Sequence, residues 1–186
     1  MAAEALECLG REHGLPFWRT VGELSVGWAR GRLGEAAAGA ERLSRALSDR
    51  IDQGAMNDAW FYKVLLAELE AETLGLESAL ARIDEALSLA RQVETRSNLP
   101  FTHLLRGRLL LERDPSYPAP AEEAFQTAAE IAKEQGARSP RLQAALALAK
   151  MFRLKTTIGR TQSRTRQDNQ RSARTPAGWN CADVRM

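Results

Sequence analysis

Two histidines, two cysteines and a few adjacent carboxylates are the residues of this chain best suited to chemistry, and their spacing speaks against most of it. His13 stands where Gly14 should end a helix, far in sequence from His103, so a helix-terminal role is expected of it rather than metal ligation or acid–base work. Cys8 and Cys181 lie near opposite ends without a C-x-x-C pair, which signals neither a disulfide framework nor a zinc site. Cys8, one helical turn from Glu4 and Glu12, is expected to be a small packing residue. Asp84-Glu85 and Glu122-Glu123 are neighbours in sequence, but adjacent helix positions diverge by about 100° and cannot face one substrate together. The stretch "GWARGRLG" has neither the lysine nor the preceding strand of a phosphate loop. No catalytic, metal-binding or cofactor-binding residue is therefore assigned, and the chain is read as a non-enzyme that needs no cofactor.

The elements that carry these residues follow from composition and period. The 186 residues include 26 Lys plus Arg and 24 Asp plus Glu, a net charge of +2 that implies no dominant polyanionic partner. The charge is unevenly placed: from Lys155 onward seven basic residues face two acidic ones, net +5, which leaves −3 for residues 1–154. The start, "MAAEALECLGREHG", carries Glu4, Glu7 and Glu12 where a secretory signal needs a cationic start and an unbroken apolar run. No stretch approaches the roughly 20 apolar residues of a membrane helix. A cytoplasmic chain without a membrane partner is expected.

Up to residue 154, Ala, Leu, Glu and Arg dominate and apolar residues return at steps of three and four, which predicts an all-α fold of about seven helices. Breakers separate them: His13-Gly14, Leu15-Pro16, Gly31 to Gly34, "DQGAMND" with Asn57 or Asp58 as N-cap, Thr73 to Glu77, "TRSNLP", "DPSYPAP" and "QGARSP". A small–large–small pattern recurs in Gly39, Leu43 and Ala46, in Ala79, Ile83 and Ala86, and in Ala121, Phe125 and Ala128. Its last members stand at 46, 86 and 128, giving periods of 86 − 46 = 40 and 128 − 86 = 42, the length of a helix hairpin. Small residues one turn apart let a neighbouring helix approach the backbone, and the large one fills the groove beside it. Gly27 and Gly107 are the matching small positions of first helices, with Glu68 read at the corresponding place of the middle hairpin. Trp28 and Arg108 follow those glycines on equivalent sites. Together with Tyr62 of the middle unit they are the groove candidates for gripping a peptide or partner helix, core packing being the alternative for each.

The set "EHGLPFW", "RLGEAAAGAERLSRAL", "LRGRLLLERDP", "AEEAFQTAAEIAKEQGARS" and "LQAALALAKMFR" resembles the tetratricopeptide-like C-terminal region of bacterial adenylate or guanylate cyclase and transcriptional-regulator proteins that carry a regulatory ATPase domain. The resemblance implies a tetratricopeptide-like helix-hairpin solenoid over 1–154: an orphan second helix (1–14), repeats at 15–54, 57–95 and 98–136, and an orphan first helix (139–154). It further implies signal transduction through a protein or peptide partner or neighbouring domains of a larger parent, with catalysis elsewhere, since cyclase chemistry needs metal-binding aspartates on a sheet. Uncapped end helices would allow self-association. Residues 155–186, rich in Arg, Thr, Ser and Gln, read as a disordered basic tail, an unrelated or out-of-frame extension. A free-standing adaptor that binds nucleic acid through this tail, and a remnant without independent function, are the rival readings.

Overall fold

The step of three and four residues folds into helices throughout. The computed structural model describes residues 2–54, 57–153 and 156, and among them there is no strand. The helices are α1 (Ala2–Glu12), α2 (Pro16–Arg32), α3 (Ala36–Asp52), α4 (Ala59–Thr73), α5 (Leu76–Gln92), α6 (Leu99–Arg113) and α7 (Ala119–Glu134). Residues 138–147 begin an eighth, α8, where the repeat scheme sets its last, orphan helix. The chain divides into two compact units, Met1–Ala147 and Leu148–Met186; in the second, residues 148–153 and 156 are helical. The remainder of the basic tail, with Cys181, lies outside the described residues.

The period is written into the helix boundaries. Between α3 and α5 the start moves from 36 to 76 and the end from 52 to 92; between α4 and α6 they move from 59 to 99 and from 73 to 113. Each of these steps is 40 residues, while α2 to α4 moves by 43 and 41 and α5 to α7 by 43 and 42. The helices α1 to α7 pack each on the next, and α2 also packs on α4 and α4 on α6, whereas the second helices α1 and α3 meet through side chains, Arg42 Nη2 on Glu7 Oε2 at 2.5 Å, without close backbone packing. Helices on the inner side of a curved stack lie closer than those outside it, which makes α2, α4 and α6 the inner face and the candidate groove. The fold is an all-α stack of helix hairpins.

Close approach explains the glycines inside helices, each of which costs about 1 kcal/mol relative to alanine. A Cβ on Gly39 would lie 2.6 Å from the Gly27 carbonyl oxygen and 2.6 Å from the Gly31 nitrogen, and one on Gly27 would lie 2.9 Å from the Leu43 nitrogen. On the other side of α2, a Cβ on Gly22 would meet the Glu7 nitrogen at 2.5 Å. Helix α2 is thus pressed backbone to backbone between α1 and α3. In the last hairpin the contact is softer: a Cβ on Gly107 would meet the Phe125 ring at 2.5 Å. Gly27, Gly39, Leu43, Ala46, Ala79, Ile83, Ala86, Gly107, Ala121, Phe125 and Ala128 are all buried. Leu24, Leu47, Leu66 and Leu69 join Leu43 and Ala46 in an apolar core cluster, with Trp28, Phe61 and Tyr62 packed against it.

Second helices end in one repeated way. Residues 14, 54, 94 and 136 have positive φ, and after three of them the next residue donates its N–H five residues back, Leu15 to the Gly10 carbonyl (2.8 Å), Thr95 to Ala90 (3.1 Å) and Ala137 to Ala132 (2.8 Å). Three of the four positions are glycine, and the exception is Glu94 at φ 51°. The left-handed conformation costs a side-chain-bearing residue about 1 kcal/mol, part of which glycine returns through its larger unfolded-state entropy. Glu94→Gly is therefore expected to stabilise the chain by roughly 0.5 kcal/mol. A urea midpoint that falls in this variant would contradict the account.

Candidate protein-interaction groove

The 40-residue step places Trp28 of α2, Glu68 of α4 and Arg108 of α6 at equivalent sites of consecutive first helices, and their side chains meet. Trp28 donates its Nε1–H to Glu68 Oε2 at 3.1 Å, and Arg108 donates Nη2–H to Glu68 Oε1 at 3.4 Å. Arg32, one turn beyond Trp28, donates Nη1–H to the same Oε1 at 3.2 Å. Glu68 is 7% exposed, whereas the arginine side chains are 50% and 57% exposed. A carboxylate withdrawn from water needs donors on both oxygens, and here α2 and α6 supply them across α4.

Two turns before it lies an apolar row. Val21, Phe61 and Phe101 are half-buried at equivalent sites, and the rings of Phe61 and Phe101 lie edge to face with centroids 6.1 Å apart. The row after it is charged: Arg32, Glu72 and Glu112, all exposed. The groove floor therefore grades from aromatic at the start of the first helices to ionic at their ends. Such a surface can hold a segment by apolar contact at one end and by charge at the other; it aligns no nucleophile with a base. Among the described residues no group of three or more His, Cys, Asp or Glu is placed to hold a metal ion. No helix among them is long and apolar enough to cross a membrane.

Comparison with protein-family models, curated proteins and solved structures gave no match.

Several sequence expectations change in the fold. The small site of the middle hairpin, 40 residues from both Gly27 and Gly107, is the fully buried Ala67; Glu68 lies one residue later, level with Trp28 and Arg108. Tyr62 is not an exposed groove residue but packs half-buried on the core, where burial, and then the nearby Asp58 charge, push its hydroxyl pKa up. Trp28 is half-buried and Arg108 exposed. Cys8 is exposed rather than packed, and its Sγ–H donates to Glu12 Oε1 at 3.3 Å; that hydrogen bond and the Glu12 charge raise the thiol pKa. Asp58 does precede α4, yet its carboxylate caps nothing and instead accepts from Arg50 Nε at 2.9 Å and Nη2 at 2.5 Å. Sequence reasoning passes over Arg32 and the partnership of Glu68; carrying the 40-residue step from Trp28 exposes the latter.

His103 sits half-buried on α6, and burial, with Arg106 and Arg91 adding positive charge, holds its pKa below the ordinary value. A depressed histidine pKa means that the unfolded chain binds the proton more readily, so this contribution is present above about pH 6.5 and is lost as pH falls through the folded value. His103→Gln is expected to reduce the loss of stability between pH 7.5 and pH 5.5. Parallel urea titrations of the two proteins at both pH values check this, and identical pH dependence would refute it.

Proposed function

We propose that this chain is a non-catalytic protein-interaction module that receives a segment of a partner in the groove of α2, α4 and α6. The observation that carries the reading is the junction of Trp28, Arg32, Glu68 and Arg108, in which three helices contribute to one polar centre two turns from the apolar row of Val21, Phe61 and Phe101. The resemblance of "EHGLPFW", "LRGRLLLERDP" and "QGARS" to the tetratricopeptide-like region of cyclase-linked and transcription-regulator signalling ATPases supports a finer version. In it, a segment seated in the groove alters the curvature of the stack and biases an attached ATPase between resting and active states in a cytoplasmic signalling protein. Backbone packing between consecutive first helices but not between consecutive second helices would allow such bending, because hairpins can pivot on the first-helix contacts.

A selection of random peptides displayed on phage against the immobilised full chain tests the general reading. Enriched peptides should lose binding to Trp28→Ala and Arg108→Glu proteins but keep it when residues 155–186 are removed. No enrichment, or binding that survives both groove substitutions, would overturn the proposal; binding lost only with the tail would favour the basic-tail adaptor.

A further inference from the structure

We infer that the groove recognises its partner through a single carboxylate of an extended, otherwise apolar segment, seated between Arg32 and Arg108. This rests on the groove being the binding surface and adds the chemistry of what it binds. The two guanidinium groups belong to α2 and α6, helices that do not touch each other. They are gathered by Glu68 of the intervening helix. Arg32 Nη1 lies 3.2 Å and Arg108 Nη2 lies 3.4 Å from the same carboxylate oxygen, so these nitrogens are at most 6.6 Å apart, the sum of the two distances. The carboxylate is 7% exposed while both arginine side chains are half or more exposed, an arrangement that anchors the cations from below and leaves their outer faces to solvent.

Charge decides the kind of ligand. One carboxylate between two arginines leaves the junction itself at +1, with the exposed Glu72 and Glu112 one turn beyond it, and each guanidinium spends one nitrogen on Glu68, with no other side-chain partner among the described residues. Each planar fork keeps N–H groups with which to bind a second carboxylate, whose charge would relieve the repulsion between the two cations. At the junction itself a cationic group finds no open acceptor, because Glu68 already accepts from three donors. Trp28 has its N–H committed to Glu68 and so offers only ring carbons, which suits an apolar residue beside the acid. A polyanion fits poorly, since Glu72 and Glu112 stand exposed one turn beyond Glu68 and Arg108 on the same faces. The site matches an isolated acid with apolar neighbours better than a nucleic-acid backbone.

Fluorescence anisotropy on the full chain tests this with three fluorescein-labelled probes in low salt: the peptide Gly-Leu-Ala-Glu-Leu-Ala-Gly with both termini blocked, the same peptide with Gln for Glu, and a ten-nucleotide oligothymidylate. The Glu peptide should bind at least tenfold more tightly than the Gln peptide. Arg32→Gln and Arg108→Gln should each weaken it at least fivefold, while Arg45→Gln, an exposed site on α3, leaves it unchanged. All three positions are half or more exposed, and matching thermal midpoints confirm that the variants remain folded. Equal binding of the two peptides, insensitivity to both arginines, tighter binding of the oligothymidylate, or no binding of the Glu peptide would each overturn the inference. Equal binding that is still lost in Trp28→Ala would do so while leaving the groove itself standing as the interaction surface.

Discussion

Asp58→Ala is expected to destabilise the chain by about 3–5 kcal/mol, whereas Arg50→Met, which removes the other half of the same ion pair, should cost less than about 1 kcal/mol. The asymmetry follows from where the two charges sit. The Arg50 side chain is 2% exposed, with its guanidinium 4.3 Å from the centre of the Phe17 ring; Asp58 is 42% exposed. Without Asp58 a buried cation loses its anion, and Nη1 already lacks a hydrogen-bond partner. Without Arg50, Asp58 turns to water, and methionine fills the same elongated space against Phe17. Arg50 replaces the small residues that second helices carry at Gly10 and Ala90, 40 residues to either side, so the pair is an insertion into the repeat and not part of its common packing. Thermal midpoints measure the difference: Asp58→Ala should fall by about 10 °C and Arg50→Met by no more than a few degrees. Equal losses in the two variants would show that the pair acts as mutual packing, without the desolvation penalty argued above.

Gly39→Ala is the second large effect, at about 3 kcal/mol. The added carbon would stand 2.6 Å from the Gly27 carbonyl oxygen and from the Gly31 nitrogen and Cα, all of them backbone atoms that cannot rotate away. Helices α2 and α3 must separate, and Leu43, which closes over Gly27, loses its seat. Gly107→Ala offers the control, since there the obstacle is the Phe125 ring, a side chain able to shift. Its cost should be smaller by about 1–2 kcal/mol, offset in part by the better helix propensity of alanine. A urea series on the two variants decides the matter. If Gly107→Ala proved the worse, side-chain rather than backbone proximity would set the tolerance of each hairpin.

Much of this architecture is legible in the order of residues alone. Periodicity at three and four marks the helices, and Gly14, Pro16, Gly34 and Gly136 mark their ends, because these signals are local: a missing N–H or a positive φ is decided within a few residues. The small–large–small spacing goes further and reveals the hairpin period, since the same steric demand recurs in each unit. Expectation and structure part where a residue's fate depends on a partner in another helix. Asp58 has the composition of an N-cap, but a buried arginine eight residues earlier claims its carboxylate more strongly. Cys8 and Tyr62 depart from expectation because exposure depends on which face meets the next helix.

By itself, then, the sequence determined the all-helical class, the 40-residue unit and the residues on which hairpins close. Only the tertiary structure decided that Trp28, Arg32, Glu68 and Arg108 share one centre. Their contacts span 36 and 40 residues, and nothing local to α4 reveals that a carboxylate on a solvent-like sequence position will be enclosed by donors from the helices before and after it.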